Sequence, residues 1–477
     1  MFSVWSGVEG LDAGSKLSET RQNLESARQR IPEKFRSLNQ FLGRQYAGCG
    51  ATIGAMPRCD FACRGCYLGK EANRIPSEPV SGIKKQLDAI RSWLGDGGNV
   101  QITDGEVTLR PIDELIGIVG YARRIGLIPM LMTHGDTFLK SPDILSRLIQ
   151  EAGLTEISIH IDTTQRGRKD REFRHASSEL ELMALRDRFA ELIREIRRQT
   201  GKSLQAATTF TLTDENLHEV PAVIQWVVRN CDAFKMISFQ PVAQVGRTET
   251  SLTGSPTIEA LWERIAQGLA PDGPRPDLIS HQGLFGHPAC TRFVQGIVVN
   301  RKWGGRRFFP LYRVDDVKTL EFLAAFQEHF GGVSLRALIP AKRIERMIAI
   351  GLRESHFVLT SVLPFLVRSL SRYHPQGFFG TLMTCITGST RLNYLNIVSH
   401  HFMSRAELET PLGKERLDLC AFKVPINDSL VSMCEVNATG IRDDYYRSLA
   451  AKAFNGSGNP RKEQSSLAKS NQMIEWL

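Results

Sequence analysis

The chain lacks any apolar run long enough to cross a bilayer. Its most apolar stretch, Phe357 to Leu370, falls short of the roughly 20 residues that a spanning helix needs and ends near Arg368 and Arg372. That run reads as a buried helix, and no transmembrane segment is expected. Residues Met1 to Gly14 carry Glu9 and Asp12 and no apolar core suited to export, so a cytoplasmic location is expected. No basic stretch is interleaved with aromatics and no RNA-binding motif is visible, so nucleic acid is not an expected partner. Cysteine is sparse and odd in number. Nine in 477 residues do not make a disulfide framework; they fit a reducing compartment and metal ligation. The charge surplus is modest: 60 basic against 51 acidic residues, spread along the chain, leave +9. Such a balance suits an anionic partner, whether phospholipid headgroup or nucleotide, but reads first as a solvated basic surface.

What is present is the composition of an ordinary globular protein, 42% hydrophobic and 23% charged, in a chain too long for one core. The most informative stretch is Cys59-Asp60-Phe61-Ala62-Cys63-Arg64-Gly65-Cys66. A closed structural zinc site takes four ligands, whereas three cysteines on a four-iron four-sulfur cluster leave one iron open. Half of a zinc site completed from elsewhere, or chance spacing, are the alternatives at this point.

Around that loop the chain alternates strand, loop and helix. The expected strands are Ala51 to Met56, Asn99 to Thr103, Ile128 to Met132, Glu156 to Asp162, Leu204 to Thr211 and Phe234 to Gln240. Helices are expected at about Ser81 to Leu94, Pro111 to Ile125, Ser141 to Ala152, Ser178 to Gln199 and Asn216 to Arg229. In an α/β barrel the loops after the strands form the active face, which would put the cysteines, the Asp104-Gly105-Glu106-Val107 turn and Asp162 at one mouth. A carboxylate at the Asp162 position can hydrogen-bond a ribose; His160, mid-strand, reads as a structural group. Ser15 to Tyr46, interrupted at Pro32, reads as two outer helices.

The C-x3-C-x2-C spacing resembles the signature of the radical S-adenosylmethionine (radical SAM) superfamily. The resemblance implies that the open iron is chelated by SAM and that one electron cleaves SAM to methionine and a 5′-deoxyadenosyl radical. That radical takes a hydrogen from an unactivated carbon. It further implies a SAM-binding role for Asp104, Gly105, Glu106 and Val107, which resemble the Gly-Gly-Glu-Pro motif although Asp104 and Val107 replace its first glycine and its proline. Thr133-His134-Gly135 resembles the Thr-Asn-Gly turn of the family. Gly65 stands where an aromatic is usual, which leaves Phe61 or Tyr67 to contact adenine. Six units between Gly48 and about Ala270 match the partial six-unit barrel of the family.

Further along, Ile237 to Val242 with Gly246-Arg247, His287-Pro288-Ala289-Cys290, Ser399-His400-His401-Phe402-Met403, Cys420 and Met433-Cys434-Glu435-Val436-Asn437 resemble the subgroup of tetraether lipid synthases and pterin-methylating enzymes. The His-Pro-x-Cys stretch, and two cysteines flanking a hairpin with Asn427-Asp428-Ser429 as its turn, can wrap a second metal site; four ordinary buried cysteines are the plain alternative. The expectation is an auxiliary iron–sulfur cluster on Cys290, Cys420 and Cys434, with Cys385 as a candidate fourth ligand. The chain departs from the subgroup in having only Cys49 near its start and Ser399 at an expected cysteine position. No cobalamin-binding domain is recognisable before the core.

The expected fold is therefore α/β: an N-terminal helical extension (1–47), a partial (β/α)6 radical SAM barrel (48–270), a C-terminal α+β auxiliary domain (271–454) and a flexible tail (455–477). The expected function is reductive SAM cleavage at a four-iron four-sulfur cluster and hydrogen abstraction from a small-molecule or lipid substrate, for C–C bond formation or alkylation. A flavodoxin or ferredoxin would be the reductant. A non-catalytic iron–sulfur or zinc scaffold is the alternative.

Overall fold

The computed structural model describes residues 28–41, 51–247, 254–271, 282–330 and 340–456, less a few positions within these spans and with a few isolated ones outside them. Most of the expected N-terminal extension, Cys49 and the tail beyond residue 456 lie outside the described residues. After Pro32 the chain makes a 3-10 turn at Glu33–Phe35 and the two-residue strand β1 (Gln40–Phe41), where a second helix was expected. Gln40 explains the difference. Its side chain is fully buried, accepting from Ser37 N at 2.8 Å and donating to the Gly286 carbonyl at 3.0 Å, so the segment is fixed as an edge strand.

The barrel follows as expected, in strands β2 (Ala51–Met56), β3 (Asn99–Asp104), β4 (Ile128–Thr133), β5 (Glu156–His160), β6 (Gln205–Leu212) and β7 (Phe234–Pro241). Each pairs in parallel with the next. Parallel strands are covered on both faces, which is why they read as near-continuous buried runs. The helix Val80–Leu94 shows how the outer layer is written: Ile83, Leu87, Ile90 and Leu94 recur at three- and four-residue steps and are its buried stripe. The helix Met183–Thr200 stops at Gly201, whose φ of 62° is the left-handed conformation that ends helices.

The remaining strands do not form a separate sheet. β8 (Gly283–Phe285), β9 (Thr291–Arg301), β10 (Gly305–Pro310), β11 (Thr390–His400), β12 (Lys423–Ile426) and β13 (Ser429–Ser432) join the barrel strands in one thirteen-stranded sheet. β11 runs parallel to β7 at one edge of the barrel and antiparallel to β9, while β12 meets β2 at the other edge. The β12–β13 hairpin turns at Asn427, which has a φ of 52°.

Between β10 and β11 lies a helical insertion: Val317–Phe330, Pro340–Arg353, a segment that bends at residue 354 into Ser355–Ser371, and Gly377–Ile386. The apolar run from Phe357 is helical but is not the buried helix expected, because Leu359, Leu363 and Leu366 are 63%, 45% and 46% exposed. No single helix among the described residues is long and apolar enough to cross a membrane. The helix Ile441–Gly456 closes the described chain. Arg442 and Tyr446, in its first two turns, are buried against the barrel.

Candidate active site

The carboxyl ends of β2 to β7 open into one cavity of about 320 Å³. Period-two alternation sends Gln101 and Thr103 from β3, Ser158 and His160 from β5, and Thr209 and Thr211 from β6 into it. Cys59, Cys63 and Cys66 line the same space. Their loop is held from two sides. Ala62 N donates to the Arg166 carbonyl at 2.8 Å and Arg64 N to the Thr164 carbonyl at 2.9 Å, while Cys59 N donates to Asn73 Oδ1 at 2.9 Å. After β7, Gly246 packs against the loop so closely that a Cβ would run into the Tyr67 carbonyl, and Arg247 N donates to the Cys66 carbonyl at 2.9 Å. Burial pushes the Cys59 thiol up to about 12 and raises Cys63 and Cys66 as well, and Cys66 adds to the rise of the other two.

The turn after β3 is clamped to the cysteine loop. Gly105 N donates to the Met56 carbonyl at 2.6 Å and Glu106 N to the Arg58 carbonyl at 2.8 Å. A side chain at Gly105 would meet that Arg58 carbonyl. Both oxygens of Asp104 are taken: Arg442 reaches one at 2.5 Å and the Tyr446 hydroxyl donates to the other. Glu106, 1% exposed, accepts from Thr133 Oγ1 at 2.7 Å and His134 N at 2.9 Å, and so ties the β3 turn to the β4 turn. Asp104, Gly105 and Glu106 line the cavity, whereas Val107 is wholly buried in the core.

His134 Nε2 meets Asp60 at 2.8 Å, and Lys169 Nζ lies 2.6 Å from the same carboxylate. Burial alone would raise the Asp60 carboxyl, but these two partners hold it well below the usual range. Phe61 stacks on His134 at 3.8 Å with Arg168 over its ring at 5.4 Å, and Arg442 lies 5.0 Å above the Tyr67 ring. Asp162 does not line the cavity. It is 1% exposed and accepts from Thr164 N at 2.8 Å, Thr211 N at 2.7 Å and His160. His160 is the member of the pair that faces the cavity.

The family model described as "Radical SAM superfamily" matches residues 53–227, the span that carries β2 to β6 and all three loop cysteines. These residues form a radical SAM domain. The chain is 25% identical over 211 residues to the 7,8-dihydro-6-hydroxymethylpterin dimethyltransferase of Methanocaldococcus jannaschii, covering 44% of this chain and 39% of that protein. Over 210 residues it is 25% identical to GTP 3′,8-cyclase 1 of Pseudomonas aeruginosa, covering 43% of this chain and 58% of that one. The chain thus spans about 39% and 58% of the length of these curated relatives. Among solved structures it is similar to the FeFe-hydrogenase maturase HydG from Carboxydothermus hydrogenoformans, with 13% identity and a TM-score of 0.32, covering 54% of this chain and 63% of that one.

A radical SAM domain holds a four-iron four-sulfur cluster and SAM, and the donor set here fits the cluster. Among the described residues, the ligand atoms that lie within 4.8 Å of one another belong to Cys59, Asp60 and His134, not to the three thiols. A single zinc ion with bonds of about 2.3 Å needs its sulfurs roughly 3.8 Å apart, which suits the thiol triad less well than the separate corners of a cluster. Asp60 and His134 are satisfied by each other and by Lys169. The thiols are the group left buried, raised and in need of positive charge.

The C-terminal cysteines divide. Cys290, Cys420 and Cys434 line the same cavity as the radical SAM loop, and their charges act on one another. Arg416 Nε donates to Cys290 Sγ at 3.3 Å and Met403 N to Cys434 Sγ at 3.4 Å, while Cys420 Sγ donates to the Phe422 carbonyl at 3.4 Å. His401 Nε2 is buried with no hydrogen-bond partner among the described residues. Burial lowers His400 to about 4 and His401 to about 3, so both are neutral at pH 7. Cys385 is not brought to the triad; it sits on the helix Gly377–Ile386 and does not line the cavity. Ser399 is wholly buried and accepts from the Trp262 indole at 3.1 Å, so its side chain faces the core while the next residue, His400, faces the cavity.

Sequence reasoning set His160 aside as structural and passed over the other polar strand residues that face the cavity, together with Arg416, Arg442 and Tyr446. The first group did leave a signal: Gln101 and Thr103, Ser158 and His160, Thr209 and Thr211 are polar pairs two apart inside apolar strands. The two arginines and the tyrosine left none, because Cys290 and Asp104, the cavity residues they hold, lie 126 to 342 residues away in sequence.

Proposed function

We propose that this chain cleaves SAM reductively and removes a hydrogen from an unactivated carbon of an apolar or partly apolar substrate, leading to C–C bond formation or alkylation. The observation that carries the reading is that Cys59, Cys63 and Cys66 and also Cys290, Cys420 and Cys434 line one and the same cavity. When bound, the first cluster supplies the electron that breaks a carbon–sulfur bond of SAM to give the 5′-deoxyadenosyl radical. The protein's own part is to bind, orient and exclude water. Thr103, Thr133, Ser158 and Thr211 offer hydroxyls along the barrel wall, and His160 is steadied by Asp162 and by Thr211 Oγ1 at 3.0 Å.

In this reading the second triad holds an auxiliary iron–sulfur cluster. Arg416 places a cation at the Cys290 sulfur, and the orphaned Nε2 of His401 is a further donor on the same wall. A flavodoxin or ferredoxin serves as electron donor.

The test is anaerobic reconstitution. Alanine at Cys59, Cys63 or Cys66 is expected to abolish 5′-deoxyadenosine formation; formation at the unaltered rate would overturn the reading. A protein with all three changed to alanine should still bind about one cluster's worth of iron and sulfide. Iron near zero in that protein would leave the C-terminal cysteines a purely structural role.

A further inference from the structure

We infer that the helical insertion between β10 and β11 is a docking surface for a bilayer leaflet with anionic headgroups, lying in the interface rather than crossing it. Eighteen large apolar side chains are exposed among the described residues, and twelve of them lie between Ile344 and Ile386. Scattered exposed leucines are ordinary on a soluble protein, but concentration of two thirds of them on one insertion is not. Leu352, Leu359, Phe379 and Ile386 are 73%, 63%, 75% and 70% exposed. The helices Met347–Arg353 and Ser355–Ser371 are together apolar enough to span, yet they meet at 88°. A right-angled pair cannot thread a bilayer as one rod; it can lie with its apolar side in the acyl boundary.

The charge says which surface. Residues 301–391 hold fourteen basic and six acidic residues, a surplus of eight, against nine for the whole chain of 477. The surplus is therefore not spread along the chain, as its composition first suggests. Among the described residues, Asp315 pairs with Arg313 at 2.9 Å, Asp316 with Arg368 at 4.0 Å and Glu354 with His329 at 2.7 Å. Arg306 on β10 and Arg391 on β11 are exposed and both stand opposite Asn300 of β9, beside the point where the helix Gly377–Ile386 leads into the sheet. Basic residues bordering an exposed apolar face match an anionic headgroup layer. A second copy of the chain would instead set two such surpluses face to face.

The surface also continues inward. Phe41, Phe285, Phe293, Met236 and Val398 line the apolar side of the cavity, and Leu323 from the first helix of the insertion packs into the same cluster. An apolar chain leaving the leaflet would meet this wall first; that link to substrate rests on the function proposed above, whereas the docking itself does not.

The test is co-sedimentation of the full chain with large unilamellar vesicles of phosphatidylcholine alone or with three parts in ten phosphatidylglycerol. At 0.1 M NaCl, binding to the anionic vesicles is expected to be at least tenfold tighter and to weaken severalfold at 0.5 M NaCl. Leu359→Glu with Leu366→Glu should lower binding at least tenfold while leaving iron content and 5′-deoxyadenosine formation unchanged. Phe379→Ser with Ile386→Ser serves if the first pair does not fold. The protein with Cys59, Cys63 and Cys66 changed to alanine should bind vesicles like the parent, so failure of docking and failure of the radical chemistry are read separately. The inference is overturned if the parent stays in the supernatant with anionic vesicles, if both apolar variants bind as the parent does, or if they convert a dimer into a monomer.

Discussion

Replacing Arg442 with methionine removes one partner of an ion pair in which the Arg442 side chain is 5% and the Asp104 side chain 1% exposed. Burial works against the guanidinium, but Asp104 outweighs it and keeps the group charged. Without the cation, Asp104 is left as a buried carboxylate with the Tyr446 hydroxyl and, at 3.5 Å, the Tyr67 hydroxyl as its donors, at a residue whose φ is already 95°. Breaking a buried pair in this way costs about 3–5 kcal/mol, against a total of about 5–15 kcal/mol for a folded domain. The loss should be local first, since the pair joins the helix Ile441–Gly456 to the end of β3, and the further ties of this helix include Tyr446 to Asp104 and Tyr445 to Glu78 at 2.9 Å. Hydrogen exchange of amides 442–451 should quicken well before the barrel opens. Adding Asp104→Asn to Arg442→Met should recover roughly 2 kcal/mol, because the stranded charge is gone. Asp104→Asn alone should lower stability more than it lowers SAM affinity, its carboxylate being already engaged. A single-variant loss under about 1 kcal/mol, or strict additivity in the double variant, would refute the reasoning.

Gly246→Ala should cost about 1–2 kcal/mol for the left-handed φ of 56° alone and push on the Tyr67 carbonyl, so reconstituted iron should fall; a full iron complement would show that the contact is slack. Ser399→Cys should add no iron, since that side chain faces Trp262, and extra iron in the variant would mean that the strand register is wrong. Asp162 is held below its unfolded value: burial opposes this, but His160, Thr164 and the Thr211 N–H prevail. Its stabilisation is thus present above pH ~4 and is lost as pH falls through the lower folded value. Asp162→Asn should lower the urea midpoint at pH 7 and flatten its decline below pH 4, and an unaltered acid limb would contradict that account.

The barrel was legible because each unit states its own period. Buried runs such as Ile157 to Ile159 and amphipathic helices such as Val80–Leu94 are local patterns, and the cysteine triad is eight consecutive residues. The insertion was misread for a physical reason: apolar content alone does not distinguish a helix buried by protein from one left exposed, and Phe357 to Leu370 looks the same in both. The Asp104 turn was legible as a place but not as a set of contacts. Arg442 and Tyr446, which occupy its carboxylate, come from the last helix, and nothing near residue 104 announces them. Ser399 and His400 show the same limit at strand scale, where a one-residue alternation decides which side chain meets the core and which meets the cavity.

The single thirteen-stranded sheet has a consequence for how the protein is made. Synthesis runs from the amino end, so β2 to β7 leave the ribosome long before β11 and β12, the strands that pair with β7 and β2. Until residues 390–426 have emerged, the nascent half-barrel carries two bare edges, each a row of unpaired amides and carbonyls. The cysteine loop, which follows β2, sits beside one of them. Residues 390–426 are therefore the seam that seals the sheet, and both edges of the half-barrel wait on them.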